Sequence, residues 1–168
     1  MRLVTLFVVL LSAAVVLPGG ARAQQGLPAV TVYKSPTCGC CSAWSAYLEA
    51  RGFTVRNEDR DDMDAVKRHL GVPPRLGSCH TAVVDGYVIE GHVPAQDIKL
   101  LLEKRPAALG LAVPGLPLGA PGREVSTPTC ETGCTVLEKE SGGTRVRREA
   151  YNTFLVLPEG GSRVWWRH

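Results

Sequence analysis

The sequence predicts an α/β fold, and three observations indicate it. Short apolar runs typical of strands alternate with segments in which apolar residues recur every three or four positions, as in helices. Glycine or proline separates most of these segments. The stretch CGCC, at 38–41, places three cysteines between the first apolar run and the first helical segment. Cysteines at such a junction are typical of redox or metal chemistry.

The first part of the chain predicts two strands, each followed by a helix. The run AVTVYK at 29–34 predicts the first strand, and SAWSAYLEAR at 42–51 predicts the first helix. The alternation of apolar and polar residues in FTVRNE, at 53–58, predicts the second strand. Asp61 is expected to cap a second helix at 62–70.

A β-hairpin and a third helix are predicted next. TAVVD at 81–85 and YVIEG at 87–91 predict the two strands, joined by a tight Asp85-Gly86 turn, and the third helix spans 95–104. The resulting order is βαβ, then α, then ββ, then α. Because a C-x-x-C spacing follows the first strand, this order predicts a thioredoxin-like core.

The rest of the chain is predicted to add to this core. Residues 106–122 are rich in proline and glycine, which indicates an ordered wrap rather than a regular element. YNTFLVL at 151–157 and RVWWR at 163–167 predict a C-terminal β-hairpin. The expected organisation is therefore a thioredoxin-like domain at 24–105, the wrap at 106–122 and a C-terminal extension at 123–168.

Residues 1–23 predict a signal peptide. Arg2 precedes a long apolar run, and Ala21-Arg22-Ala23 fits the small-residue rule for cleavage. We therefore expect cleavage after Ala23 and export to the periplasm, with an uncleaved N-terminal anchor as the alternative. No later segment approaches the ~20 apolar residues that a membrane span requires. The mature chain is thus expected to have no membrane span.

The charge balance and the length of the chain argue against a nucleic-acid-binding protein and against a fold that depends on disulfides. The chain has 19 Lys and Arg residues against 16 Asp and Glu residues, which is unlike the clustered basic surface of a nucleic-acid-binding protein. No nucleic-acid partner is expected. A chain of this length can bury a core without disulfides, so the 6 cysteines indicate chemistry rather than support for folding.

The CGCC cysteines are predicted to lie at the N-terminus of the first helix. Cys38 would precede the helix, with Cys40 and Cys41 in its first turn. Cys38 and Cys41 can face the same way, whereas Cys40 is rotated by about 100° from Cys41. Free N–H groups and the helix dipole favour thiolate over thiol there. Such thiolates can bind a soft metal or attack a disulfide.

A further cysteine and histidine precede the third strand. The loop VPPRLGSCH, at 72–80, ends in Cys79 and His80. In a thioredoxin-like fold this loop lies beside the C-x-x-C, so both side chains are expected near the CGCC stretch. Three or four thiolates with an imidazole suit Cu(I) or Zn²⁺. The adjacent Cys40 and Cys41 do not easily serve one tetrahedral ion, which favours a multi-copper thiolate cluster.

Other interpretations of these residues stay open at this point. His92 is either a ligand or a residue that satisfies a backbone group at the end of the hairpin. The CGCC stretch is also compatible with a structural disulfide plus a spare thiol. A different class of function is a thiol-disulfide oxidoreductase, in which Cys38 attacks and Cys41 or Cys40 resolves. A metal-binding protein would show only weak exchange activity. His168, the last residue, is expected to be mobile.

Three stretches resemble a known family. They are CGCCSAW, GVPPRLGSCHTAVVDGYVIEGHVPA and GLAVPGLPLGAPG, and they are similar to exported bacterial metal-binding proteins associated with copper resistance, long catalogued as a domain of unknown function. The resemblance covers about residues 29–122 and implies a thioredoxin-like fold and Cu(I) handling. We expect copper tolerance by sequestration, or by hand-over to another periplasmic copper protein. The residues in the matching motifs are Cys38, Cys40, Cys41, Cys79, His80 and His92.

Two features depart from that family. Its members commonly carry methionines in the proline-rich stretch, where this chain has Leu116 and Arg123. The segment 123–148 looks like an addition. Its Cys130 and Cys134 are expected to form a local disulfide, with a second metal site as the alternative.

Overall fold

The computed structural model describes residues 26–123, 137–140, 143–146 and 148–168. The predicted signal peptide and the predicted disulfide between Cys130 and Cys134 lie outside the described residues. None of the helices in these ranges combines the length and the apolar character needed to cross a membrane.

Three α-helices and nine strands lie within the described ranges. The helices are α1 (Gly39–Glu49), α2 (Met63–His69) and α3 (Ala95–Lys104), and a short 3₁₀ turn spans Pro74–Leu76. The strands are β1 (Val30–Lys34), β2 (Val55–Asp59), β3 (Thr81–Val84), β4 (Tyr87–Glu90), β5 (Gly110–Ala112), β6 (Leu137–Glu140), β7 (Gly143–Val146), β8 (Asn152–Val156) and β9 (Ser162–Arg167).

Seven of these strands form one mixed sheet in the order β2-β1-β3-β4-β5-β8-β9. β1 is parallel to β2, and β4 is parallel to β5. The pairs β1–β3, β3–β4, β5–β8 and β8–β9 are antiparallel. β6 and β7 form a separate hairpin. The α/β class and the predicted βαβ-α-ββ-α order of the core elements are confirmed.

Helix N-termini differ from the predicted ones at two places. α1 begins at Gly39, before the predicted segment 42–51, with Cys38 as its N-cap residue and with Cys40 and Cys41 in its first turn as expected. Asp62, and not Asp61, caps α2, because its carboxylate accepts a hydrogen bond from the backbone N–H of Ala65 at 2.8 Å. Adjacent aspartates both fit the capping pattern, so the sequence does not distinguish them.

Three strands were not predicted. β5 lies inside the stretch that was expected to be an ordered wrap, and β6 and β7 lie in the segment 123–148, for which no element was predicted. β5 has only 3 residues and begins with Gly110, where an added Cβ would lie 1.7 Å from the carbonyl oxygen of Val88. A short strand that needs glycine for close approach to its neighbour resembles a loop in the sequence.

The main core cluster joins α1 and α3 to the sheet. Trp44 and Leu48 of α1, Ile98 and Leu101 of α3, and Ile89 of β4 are fully buried in it. The indole Nε1–H of Trp44 also donates to a backbone carbonyl, that of residue 93, at 2.9 Å. This bond joins α1 to the loop between β4 and α3.

The expectation that His168 is mobile is wrong. Its Nε2 atom lies 2.9 Å from the Oδ2 atom of buried Asp97, and its ring stacks on Tyr151 with centroids 4.7 Å apart. Thr153 of β8 also donates to the Asp97 carboxylate, at 2.6 Å. The end of the chain is therefore held against α3.

Candidate metal centre

The strand register brings three loops together at one end of the sheet. Tyr33, near the end of β1, is opposite Thr81 at the start of β3, and Thr81 is opposite Glu90 at the end of β4. The segment that leads into α1, the loop before β3 and the loop after β4 therefore meet. This meeting point is where the sequence-predicted site residues lie.

The four predicted sulfur ligands lie together. The Sγ atoms of Cys38, Cys40, Cys41 and Cys79 are all within 4.8 Å of one another. Cys38 and Cys41 form a disulfide, whereas Cys40 and Cys79 are free thiols. Cys40 Sγ lies 3.7 Å from Cys38 Sγ. In this state two of the four sulfurs are available to a metal, and the other two become available on reduction.

The two predicted histidines contact Cys79. The Cys79 sulfur lies 3.3 Å from His80 Nδ1 and 3.1 Å from His92 Nε2. His92 Nδ1 lies 2.7 Å from the backbone carbonyl oxygen of Pro121. Because that oxygen only accepts, Nδ1 donates to it, and this bond directs Nε2 toward the sulfur. A carbonyl partner that orients the ring in this way is typical of metal-binding histidines.

His80 is held as a neutral imidazole. It is fully buried between two rings, with centroid distances of 4.5 Å to Trp44 and 4.9 Å to His92. Burial lowers the pKa of His80 well below its usual range, and the electrostatic effects of His92 and Lys67 lower it further. Its Nε2 atom has no hydrogen-bond partner among the described residues. A neutral ring beside a sulfur has a lone pair to offer a metal.

The two free thiols share a proton unequally. A hydrogen bond from Cys79 lowers the pKa of Cys40 to about 4, against the opposing effect of burial, and His92 lowers it further. The same hydrogen bond, together with burial, raises the pKa of Cys79. The hydrogen bond between the two sulfurs therefore favours the thiolate at Cys40 and the thiol at Cys79.

A buried ion pair supports the loop that carries Cys79. Glu90 Oε1 lies 2.5 Å from Lys67 Nζ and accepts a hydrogen bond from the backbone N–H of Ser78 at 2.6 Å. The other carboxylate oxygen accepts from the hydroxyl of Thr81 at 2.6 Å. Burial raises the pKa of Glu90, and Lys67 opposes that rise. The carboxylate thus fixes the residues on both sides of the Cys79-His80 pair.

Glycine permits the close contact between this loop and its neighbours. Gly91 has φ of +73°, and an added Cβ would lie 2.5 Å from the carbonyl oxygen of Val113 and 2.6 Å from the Cβ of Ser78. Its backbone N–H donates to the carbonyl oxygen of His80 at 3.0 Å. Gly91 therefore sets the spacing between the Cys79 loop and the loop that carries His92.

Sequence reasoning missed the contributions of two supporting groups. The backbone carbonyl of Pro121 carries no signal of its role, because any residue has a carbonyl. The pairing of Glu90 with Lys67 is equally hidden, since 23 positions separate the two residues. The EGH sequence around Glu90 was the only available signal, and it pointed to His92.

This donor set supports two kinds of chemistry. Several thiolates and two imidazoles can hold a soft metal ion, and Cys79 belongs both to the sulfur group and to the group with the two histidines. A disulfide between the N-cap residue and the first turn of a helix can also take part in thiol-disulfide exchange. Both use the same sulfurs.

Comparison with known proteins identifies relatives of the chain. A family described as "Protein of unknown function, DUF411" matches residues 76–123. No curated protein matches the chain significantly. Two similar solved structures are titled "Copper resistance protein copG- Form 2" and "Copper resistance protein copG- Form 1", each 39% identical to this chain.

The similarity extends over nearly the whole of those structures. Each comparison covers 84% of this chain and 98% of the other, with TM-scores of 0.69 and 0.68. The matched DUF411 residues include Cys79, His80, His92, Pro121 and Arg123. The expected relationship to a copper-resistance-associated family of unknown function is confirmed. The chain belongs to the DUF411 family of copper resistance protein CopG.

Proposed function

We propose that this protein is an exported Cu(I)-binding protein that acts in copper tolerance. The observation that carries this proposal is the convergence of four sulfurs within 4.8 Å of one another, with Cys79 also inside a second group that contains His80 and His92. The relatives titled copper resistance proteins support copper as the metal. The predicted signal peptide, cleaved after Ala23, supports a periplasmic location.

The chemistry of the donors favours Cu(I) over harder or strictly tetrahedral ions. Thiolates prefer soft ions, and Cu(I) accepts low coordination numbers and shared sulfurs. The six candidate ligands exceed what one tetrahedral ion can use. Binding of more than one Cu(I) ion, with Cys79 at the junction of the two groups, makes use of all of them. Zn²⁺ would use at most four.

Metal loading is linked to thiol redox in this proposal. In the disulfide state, Cys40, Cys79 and the two histidines are the available ligands. An external dithiol would reduce the Cys38–Cys41 disulfide with two electrons and become a disulfide itself. The two released sulfurs then complete the cluster. The reduced protein is thus the high-capacity form, and it would sequester copper or pass it to another periplasmic copper protein.

The test is an anaerobic Cu(I) titration of the reduced mature chain against a competing chelator. A Cys130→Ser/Cys134→Ser background removes the cysteines outside the described residues. We expect more than one equivalent of Cu(I) to bind and Cu(I) to displace Zn²⁺. Saturation at one equivalent, or retention of Zn²⁺ in direct competition, would contradict the cluster.

The Cys38–Cys41 disulfide at the start of α1 favours a second candidate function, thiol-disulfide exchange. An exchange enzyme gains nothing from Cys79 beside its disulfide, since this thiol can trap the wrong pairing. We therefore expect weak insulin reduction by the copper-free protein, suppressed further by stoichiometric Cu(I). Turnover equal to that of a thioredoxin control, lost in Cys38→Ser but kept in Cys79→Ser, would favour the oxidoreductase.

A further inference from the structure

Arg123 is a buried cation in the segment that contacts His92 and α1, and the proposed function assigns it no role. The residue is only 4% exposed. Its Nε and Nη1 atoms are shielded from solvent and have no hydrogen-bond acceptor among the described residues. A buried guanidinium with unsatisfied N–H groups is costly. A state of the protein that offers an acceptor to these N–H groups would remove that cost.

The backbone around Arg123 holds it against the cluster. Pro121 accepts the hydrogen bond from His92, and Gly122 packs so closely on α1 that an added Cβ would lie 2.7 Å from the backbone nitrogen of Trp44. The backbone N–H of Arg123 closes a turn by donating to the carbonyl oxygen of Ala120 at 2.9 Å. The segment is thus fixed on both the His92 side and the α1 side of the centre.

The buried carboxylates among the described residues have other partners. Glu90 is paired with Lys67, and Asp97 accepts from Thr153.

We propose that Arg123 is the charge-compensating residue of the reduced centre, where its guanidinium donates to the thiolate sulfurs that appear when the Cys38–Cys41 disulfide opens. An external dithiol supplies the two electrons and becomes a disulfide, and its protons pass to solvent as the sulfurs become thiolates. Charge-assisted hydrogen bonds to Arg123 then stabilise these thiolates.

The same residue affects copper loading, an inference that rests on the proposed function. Each thiolate adds one negative charge to a buried site, and each Cu(I) removes one. A partly loaded cluster therefore carries excess negative charge, and a fixed cation lowers its cost. We expect Arg123 to matter most for the first Cu(I) ion and least at saturation.

The primary test is made without metal. Wild type, Arg123→Gln and Arg123→Lys are equilibrated with a series of reduced and oxidised dithiothreitol mixtures, and the fraction of reduced Cys38 and Cys41 is measured after alkylation. We expect Arg123→Gln to shift the equilibrium about tenfold toward the disulfide, or about 30 mV to a more negative potential, with Lys restoring part of the loss. Equal equilibria for wild type and Arg123→Gln would overturn the proposal.

A matched control removes a positive charge elsewhere. Arg105 is exposed and forms an ion pair with Asp85, so Arg105→Gln should leave the equilibrium unchanged. An equal shift in Arg105→Gln would show a general effect of net charge and overturn the specific role of Arg123.

A second measurement uses the wild-type protein and does not depend on folding of a variant. The Nε–H resonance of Arg123 should shift on reduction of the Cys38–Cys41 disulfide, whereas that of Arg105 should not. An unchanged Arg123 resonance would overturn the proposal. These metal-free tests can succeed even if wild type fails to bind Cu(I), so failure of this inference and failure of the proposed function are distinguishable.

Discussion

Cys79 is the residue on which both ligand groups depend. It lies in the four-sulfur group and also contacts both imidazoles, at 3.3 Å and 3.1 Å. Removal of its sulfur should therefore disconnect the histidines from the CGCC cysteines. The neighbouring fold contacts are made by Glu90 and by the backbone, so they would remain.

Cys79→Ser is expected to weaken Cu(I) binding by about tenfold or more and to lower the number of ions bound, while the fold stays intact. Chelator competition gives the affinity and stoichiometry, and circular dichroism checks the fold. The Cys130→Ser/Cys134→Ser protein is the matched control, because it loses cysteines that are not in the described cluster. Full affinity and stoichiometry in Cys79→Ser would confine the site to the CGCC stretch.

The Cys40 thiolate gives a pH-dependent signal in the metal-free disulfide form. Because the pKa of Cys40 is lowered to about 4, the thiolate should persist at neutral pH and be lost as the pH falls through about 4. We expect thiolate absorbance near 240 nm to follow this course and to vanish in Cys40→Ser. Circular dichroism at each pH separates titration from acid unfolding. A titration near the ordinary thiol range would show that Cys40 is not the stabilised anion.

At the scale of secondary structure, the loop between β4 and α3 depends on a glycine. Gly91 has positive φ and no room for a side chain, whereas Gly86, in the turn between β3 and β4, has φ of +83° and nothing within 4 Å of an added Cβ. The two glycines share a backbone conformation but differ in their surroundings. They therefore form a matched pair.

Gly91→Ala should lower the free energy of unfolding by about 3 kcal/mol or more, and Gly86→Ala by only about 1 kcal/mol. The difference measures the overlap with Val113 and Ser78, since the cost of positive φ is common to both. Urea denaturation of the metal-free protein is the measurement. Equal losses in the two variants would mean that the loop relaxes and that Gly91 does not set its spacing.

The elements that were predicted correctly carried a local signal. The short apolar run predicted β1, Pro94 marked the start of α3, and the Asp85-Gly86 turn predicted the β3–β4 hairpin. The periodic segment that predicted α1 began only at residue 42 because Gly39 is a poor helix former, whereas the expected place of Cys40 and Cys41 in the first turn is correct. β5 was missed because its stability comes from pairing with β4 and β8, which are distant in sequence.

For the whole molecule, the sheet order explains how much of the candidate site could be predicted. Cys79 was expected near the CGCC stretch because a strand antiparallel to β1 brings its start beside the end of β1, and the register has this arrangement. The roles of Pro121 and Arg123 could not be predicted. Both residues follow β5, and the amino-acid composition of that part of the chain does not indicate the path of its backbone.

The position of Trp44 should make metal binding at the centre detectable by tryptophan fluorescence. The chain has 3 tryptophans, of which Trp44 is fully buried with its ring centroid 4.5 Å from that of His80, whereas Trp165 and Trp166 lie on β9. A Trp165→Phe/Trp166→Phe variant should therefore show blue-shifted fluorescence that Cu(I) quenches in step with loading. Unaltered emission, in a sample that chelator competition proves to be loaded, would place the metal away from His80. Trp44 would thus serve as an intrinsic fluorescence probe of Cu(I) loading.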